Sequence, residues 1–195
     1  FQRFELYDLE TSNVQKFTLP ELHKHVELFG FIAGYQKREF KDQDPVNIQA
    51  SERMGKLHDM LKEAGYTGHE LEIYLVRLLF CLFADDTGIF EKDAFHFWLE
   101  DHTREDGSDL GQQLAMLFQV LNTPEAKRQK TLDESLASFQ YINGSLFADM
   151  LPIPAFDSDM RKALISACYF DWSRISPAIF GSLFQFVMDK DKRRG

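Results

Sequence analysis

Hydrophobic residues recur along most of the chain with the spacing of an α-helix. Over residues 50–64, apolar side chains follow one another at intervals of three or four, which places them on one helix face. Gly65 comes next and is predicted to cap this helix. A second helix is predicted over residues 71–83, where only Glu72 and Arg77 are polar. Because a helix that is apolar on every side must be surrounded by other elements, we expect it at the centre of the core.

Polar residues just before the apolar runs predict where helices begin. Thr67 with Glu70, and Thr131 with Glu134, have the spacing of a capping box, in which both side chains bind free amides of the first turn. Residues 35–45 are predicted to be a charged loop that ends at a proline. Apolar periodicity and end signals predict further helices at about residues 20–29, 93–102, 110–121, 158–167 and 176–188.

The start of the chain has the period of a β-strand. Phe4 and Leu6 alternate with polar residues, as do Phe17 and Leu19, and turn-forming residues 8–13 separate the two runs. This pattern predicts a β-hairpin. Two strands alone are marginally stable, so we expect the hairpin to belong to a sheet in a preceding region. The predicted fold class is mainly α: a multi-helix domain of about eight helices with a short N-terminal β-hairpin.

Composition indicates a folded domain in a reducing compartment. The 195 residues are 44% hydrophobic and 27% charged, as in ordinary globular proteins. The longest apolar run, residues 73–84, contains Arg77 and is shorter than the roughly 20 residues of a membrane span. Cys81 and Cys168 have apolar neighbours and are predicted to be buried free thiols, which favours a cytoplasmic location. Because the first residue is Phe1 rather than Met, we expect a piece of a longer protein.

Acidic charge is concentrated in the middle of the sequence. The net charge of −9 is made up of −2 over residues 1–45, −7 over residues 46–128 and zero over residues 129–195. A surface that grips nucleic acid should be basic. Residues 190–194 alone are locally basic, so this chain is not expected to bind DNA through its own surface.

Two short acidic motifs could support metal chemistry. Glu39 and Lys41 have the spacing of part of a metal-nuclease signature, but no Asp on a preceding strand completes an Mg²⁺ site, so a solvated loop is favoured. Asp85 and Asp86 could bind Mg²⁺ or transfer protons. Adjacent helical residues point about 100° apart, which favours polar capping of the buried helix end instead.

Histidine and cysteine spacing predicts no metal or nucleophile site. His23 and His25 are two residues apart and would not share a helix face. Four other histidines are scattered without metal-ligand spacing: His58, His69, His96 and His102. Cys81 lies inside an apolar helix, where a thiol behaves as a small hydrophobe. We therefore assign no catalytic, cofactor-binding or metal-binding residue in this chain.

Two aromatic clusters are interpreted as core rather than as base-stacking platforms. The first spans residues 141–147, and the second consists of Phe95, Phe97 and Trp98. Nucleic-acid platforms combine aromatic with basic residues, whereas residues 85–109 contain nine acidic residues. Neither a Walker loop nor a Gly-x-Gly-x-x-Gly motif is present in the sequence.

Longer strings of residues resemble one particular family. The match runs over nearly the whole chain, and its strings are much more specific than a short motif: Ala50–Met54 with Leu57–Asp59, Leu75–Phe90, Tyr141–Phe147 and Phe170–Phe184. They are similar to the region that joins nuclease and methyltransferase in MmeI-like, single-chain restriction–modification enzymes. The family's cofactor and Asn-Pro-Pro-Tyr motifs are absent from this sequence, so no residue here inherits a catalytic role.

The resemblance implies a layout for the chain and for its parent. Residues 1–45 would be the exit hairpin and short helix from an upstream nuclease-like region, 46–128 the helical spacer, and 129–195 the helical lead-in to a downstream methyltransferase. The parent would be a site-specific adenine-N6 DNA methyltransferase that uses S-adenosylmethionine, with Mg²⁺ for any nuclease; the fragment itself would bind neither, and would meet DNA only through the parent.

Three functions remain open at this point. The favoured hypothesis is a non-catalytic spacer that fixes the distance between the two modules. The alternatives are a free-standing helical protein-interaction module and a small helical metal hydrolase, for which the sequence offers no ligand constellation. The length of the intact gene product separates the first two, because only a spacer requires several hundred further residues.

Overall fold

The computed structural model of the chain describes residues 3–7, 14–18, 21, 45–175 and 181. The chain separates into two compact units, residues 1–42 and 43–195.

The first unit contains the predicted β-hairpin. Strand β1 (Arg3–Tyr7) pairs antiparallel with strand β2 (Val14–Thr18), and Glu5 lies opposite Lys16. These two side chains form a cross-strand ion pair with an N–O distance of 3.0 Å. Phe17, on the other face of β2, is buried. The turn predicted over residues 8–13 lies outside the described residues.

The second unit is helical, which confirms the predicted fold class in its coarse form. Its described residues contain six α-helices: α1 Pro45–Glu63, α2 His69–Thr87, α3 Ala94–His102, α4 Leu110–Leu121, α5 Glu134–Ala137 and α6 Ser158–Cys168. Short 3₁₀ turns occur at Glu125–Lys127 and Trp172–Arg174. About eight helices were expected for the whole chain; of the two predicted at 20–29 and 176–188, only Glu21 and Gly181 are among the described residues.

Helix α2 forms the centre of the core, as its apolar sequence predicts. Leu75, Leu78 and Leu79 are at most 1% exposed. The helix packs against α1, α3 and the Trp172–Arg174 turn, and α6 packs against both α1 and α3. Burial of apolar area at about 25 cal/mol per Å² makes these contacts the main stabilising term of the domain.

The end of α1 has the predicted cap, whereas its start differs from the prediction. Gly65, at φ 91°, donates its N–H to the Lys62 carbonyl, and the Tyr66 N–H reaches the Leu61 carbonyl. These two bonds form a Schellman motif. The helix begins at Pro45 rather than near residue 50, because proline fits the first helical position, where no N–H is needed.

Both predicted capping boxes are wrong. Gly68, not Thr67, is the N-cap of α2, and a glycine has no side chain that could cap the helix. At α5 the cap is Asp133, whose carboxylate accepts the Ser135 N–H at 2.9 Å, so Thr131 has no such role. An Asp directly before the helix offers a charged acceptor one residue from the free amides, and it displaces the more distant Thr.

Candidate functional site

Asp85 and Asp86 bind the beginnings of two neighbouring elements. Both residues lie in the last turn of α2, which runs on to Thr87 instead of ending before them as expected. The Asp85 carboxylate accepts the N–H groups of Phe95 and His96 at 2.7 and 3.1 Å. The Asp86 carboxylate accepts the Trp172 N–H at 2.7 Å. The pair therefore caps α3 and the Trp172–Arg174 turn rather than its own helix.

Burial alters the protonation of this pair. Desolvation raises the pKa of Asp85 from 3.8 to about 6, although the two backbone N–H bonds oppose the shift. The pKa of Asp86 is also raised by desolvation, against the bond from Trp172. Both oxygens of Asp85 and one oxygen of Asp86 accept backbone N–H groups, so the arrangement is that of a cap.

Three arginines donate hydrogen bonds to backbone carbonyl groups, whereas the two aspartates accept them from backbone N–H groups. Arg77, on α2, donates to the Leu146 and Asp149 carbonyls at 2.8 and 2.7 Å. Its guanidinium also lies 5.6 Å from the ring centres of both Phe118 and Phe147, a geometry that favours a cation. Desolvation lowers the pKa of Arg77 below its usual range. Arg77 therefore fixes the segment around residues 146–149 against α2.

Arg128 and Arg161 bind the carboxyl ends of two helices. Arg128 donates to the Val120 and Thr123 carbonyls at the end of α4, at 3.2 and 2.9 Å. It also reaches the Ala137 and Phe139 carbonyls. Arg161 donates to the hydroxyl and carbonyl oxygens of Thr103 at 2.8 and 3.2 Å. Positive charge at a helix carboxyl end is stabilising. Arg128 joins neighbouring turns of the chain, whereas Arg161 joins segments 58 residues apart.

The candidate histidines lie at separate places. His58, His69 and His96 each pair with a carboxylate of their own helix: Asp59, Glu72 and Glu100 respectively. His102 contacts the Trp98 carbonyl and the Ser135 hydroxyl at 3.1 and 3.0 Å. Among the described residues, no group of three or more His, Cys, Asp or Glu is placed to hold a metal ion. His23, His25, Glu39 and Lys41 lie outside the described residues.

Both cysteines are free thiols, as predicted. Cys81 is fully buried in α2, and Cys168, at the end of α6, is half-buried. Desolvation raises the pKa of each thiol well above its usual range. Since the thiolate is the nucleophile, the raised pKa lowers the reactivity of both residues. No helix of the described ranges is both long and apolar enough to span a bilayer.

The aromatic clusters are core, with two corrections, of which the first is Tyr141, a half-buried residue outside the core. Phe95, Trp98 and Phe147 are buried, as predicted. Phe97 is 56% exposed, since its position on the short helix α3 faces away from α2 and α6, and its ring stacks on His96 at 5.6 Å. The prediction that Phe97 belongs to the core is therefore wrong.

The structure also contains a cavity that sequence reasoning missed. It has a volume of about 560 Å³ and opens between α2, α4 and the segment 147–153. Tyr74 and Arg77 of α2 line it, together with the exposed side of α4. A close approach forms its wall: a Cβ added at Gly111 would lie 2.1 Å from the Pro154 carbonyl oxygen. We call this feature the α4 groove.

Taken together, the described site is a helical scaffold, in which charged side chains join segments of backbone and a groove with few charged residues opens to the surface. Comparison with known proteins gives the family. A family model for the MmeI N-terminal domain matches residues 1–64, and one for the MmeI helicase spacer domain matches residues 69–147. The chain therefore belongs to the MmeI family and carries the spacer region of such a restriction–modification protein.

Two relatives support this assignment. The chain is 34% identical over 190 residues to DNA methyltransferase A of Bacillus subtilis (strain 168). The aligned region covers 95% of this chain and 21% of that protein. It is 65% identical to the type IIL restriction–modification enzyme MmeI, solved in complex with DNA, with a TM-score of 0.68 over 75% of this chain and 20% of MmeI. The chain thus spans about a fifth of the length of the relatives it matches.

Proposed function

We propose that this chain is a non-catalytic spacer that holds the modules of a longer DNA-modifying enzyme at a fixed distance and orientation. The observation that carries the proposal is that buried and half-buried charged side chains join separate segments of the backbone. Asp85, Asp86, Arg77, Arg128 and Arg161 all bind backbone groups outside their own helix or turn. Such bonds make a helical unit rigid, since breaking any one leaves a buried polar group unpaired.

The central helix is suited to this mechanical task. Helix α2 has 19 residues and is therefore about 28 Å long. Its first half is tied to residues 146–149 through Arg77, and its last turn to α3 and the Trp172–Arg174 turn through the two aspartates. Because hydrogen bonds hold both halves of α2 to neighbouring segments, a displacement at one end of the helix would be transmitted to the other end.

We divide the chain into three parts, in the order in which they occur in the sequence. Residues 1–45 would lead out of an upstream nuclease-like region, 46–128 would form the spacer, and 129–195 would lead into a methyltransferase. The parent would use S-adenosylmethionine to methylate adenine in DNA, and Mg²⁺ if it also cuts. The similarity to a DNA methyltransferase and to MmeI supports this assignment. A cytoplasmic location stays a prediction.

The test uses the intact parent with fluorophores on its upstream and downstream modules. Residues 46–175, the spacer together with the part of the lead-in that packs against it, are replaced by a flexible Gly-Ser linker. This change should leave S-adenosylmethionine binding unchanged, because the family's cofactor motifs are absent from this chain. The distribution of distances between the fluorophores should broaden, and in a parent that cuts, the cleavage distance should become heterogeneous. An unchanged distribution would contradict the spacer function. An intact gene product of only about 195 residues would favour the alternative, a free-standing interaction module.

A separate binding test addresses the chain alone. Calorimetry of the 195-residue chain should detect no micromolar binding of S-adenosylmethionine or Mg²⁺. A gel shift at 150 mM salt should give no duplex-DNA affinity below about 1 μM, because the acidic residues between 85 and 109 repel phosphates. Weak binding that disappears when Lys190–Arg194 are removed fits this account. Tight binding that survives this truncation would make the spacer part of the DNA-binding cleft.

A further inference from the structure

The surface beside the α4 groove is uncharged, which is unusual in this chain. Helix α4 contains no charged residue over its 12 positions, although 27% of the chain is charged. Its exposed positions Gln112, Met116 and Gln119 follow one another on one face. A solvent-exposed helix face ordinarily carries charge. Depletion of charged residues together with exposed methionine is typical of the core of a protein–protein interface.

The opposite side of the groove, formed by residues 147–153, also exposes apolar side chains. Met150 is 99% exposed and Ile153 is 53% exposed, and both line the cavity with Met116. The charged residues that line it are Arg77 and Asp149, and the Asp149 carbonyl accepts a bond from Arg77. A pair of opposite charges leaves the groove without a net field that would attract nucleic acid or a small ion.

A buried hydroxyl at the groove lacks a partner. Tyr74 lines the cavity and is 2% exposed, and its hydroxyl has no hydrogen bond among the described residues. Desolvation raises the pKa of this phenol well above 10.0, so it stays protonated and can donate. An unpaired buried donor is destabilising, because it has given up its bonds to water without a replacement. A carbonyl oxygen of a bound segment that came within about 3 Å of this hydroxyl would satisfy it.

We propose that the α4 groove binds an apolar segment of the downstream methyltransferase region of the same polypeptide, with one backbone carbonyl accepting from Tyr74. This inference rests on the proposed function. The groove lies where the two regions of the proposed layout meet, since α4 is within residues 46–128, whereas residues 147–153 belong to the lead-in at 129–195. About four-fifths of each relative lies outside the matched part, so material to cover this surface is available in a parent of that length.

The first experiment measures protection of the groove. Met116→Cys is introduced into the 195-residue chain and into the intact parent, and maleimide labelling of the peptide carrying residue 116 is followed by mass spectrometry. We expect labelling at least about tenfold slower in the parent. Lys56→Cys, on the charged outer face of α1, is the matched control and should label at similar rates in both. Equal rates at position 116 would overturn the proposal.

The second experiment tests the hydroxyl. Tyr74→Phe should raise the melting temperature of the 195-residue chain by about 2–4 °C, because it removes an unsatisfied buried donor. In the parent that carries Met116→Cys, it should accelerate labelling at position 116 about fivefold, the factor that corresponds to one lost hydrogen bond of about 1 kcal/mol. Tyr169→Phe, which lies outside the groove and removes a donor to Glu100, should not change this labelling. Tyr74→Phe without effect in the parent would overturn the role of the hydroxyl.

The third experiment identifies the occupant. A photo-crosslinker attached to the thiol introduced at position 116 of the parent should join residues downstream of residue 195. Crosslinks to a second copy, to the upstream region or to DNA would overturn the assigned occupant. A gene product without downstream methyltransferase motifs would contradict the proposed function, and the groove proposal with it. A long parent in which position 116 is unprotected contradicts the groove proposal alone.

Discussion

Helices α2 and α4 are both largely apolar, yet they use polar residues in opposite ways. Helix α2 buries Glu72, Arg77 and Asp85, and the last two bind backbone groups of other segments. Helix α4 has no charged residue, and its exposed positions carry Gln and Met beside an open groove. In this domain, charge inside the core joins segments, whereas absence of charge at the surface indicates a contact region.

The comparison predicts that substitutions in α2 are costly and those on the outer face of α4 are not. Leu79→Asp should have the largest effect, because it puts an unpaired carboxylate at a position with 0% exposure. Lost packing and desolvation should together cost more than about 4 kcal/mol, which approaches the total stability of a small domain. Urea unfolding and circular dichroism check this. A soluble variant with an unchanged midpoint would contradict the central position of α2.

Arg77→Met should destabilise the domain by about 3–4 kcal/mol. The variant keeps much of the side-chain volume, but it loses two charge-assisted bonds to carbonyls and the contacts with two aromatic rings. Hydrogen exchange should accelerate most around residues 146–149. Arg128→Met is a useful comparison, because it should instead loosen the end of α4. If Arg77→Met left exchange of the 146–149 segment unchanged, the bracing role of Arg77 would be wrong.

Asp85→Asn should change how stability depends on pH. The folded pKa of Asp85, about 6, lies above the ordinary 3.8, so the folded protein binds more protons between these values. The stability from this group is therefore complete below about pH 4 and is lost as pH rises through 6. Relative to the Asn variant, the wild type should gain up to about 3 kcal/mol between pH 7 and pH 4. Urea unfolding of both proteins at several pH values measures this, and a constant difference would contradict the raised pKa.

Gln119→Lys, on the outer face of α4, should have the smallest effect in the 195-residue chain. The position is exposed and near the carboxyl end of the helix, where a cation is tolerated, so stability should change by less than about 0.5 kcal/mol. Thermal melting provides the measurement. In the intact parent the same charge should weaken docking at the groove. A large loss of stability in the 195-residue chain would show that this face has a structural role and would remove the contrast with α2.

Much of the candidate site could not be read from the sequence. Apolar periodicity located α2 and its central position, and Gly65 marked the end of α1. The groove gave no such signal, because its walls are residues 74–77, 111–123 and 147–153, which are distant along the chain. The absence of charge in α4 was visible as a run of twelve residues, but without the fold it looks the same as a buried helix.

Local signals therefore determined where helices lie, and tertiary contacts decided what their polar residues do. Gly65 caps α1 because its left-handed conformation closes the helix through bonds to the last turn of that same helix. No contact with a distant segment is required. Thr67 and Thr131 had equally good local spacing, yet Gly68 and Asp133 took the cap positions. Asp85 and Asp86 bind amides 10 and 86 residues away in sequence. A carboxylate stabilises whichever free N–H the packing brings within about 3 Å, and that neighbour is set by the whole fold rather than by the local sequence.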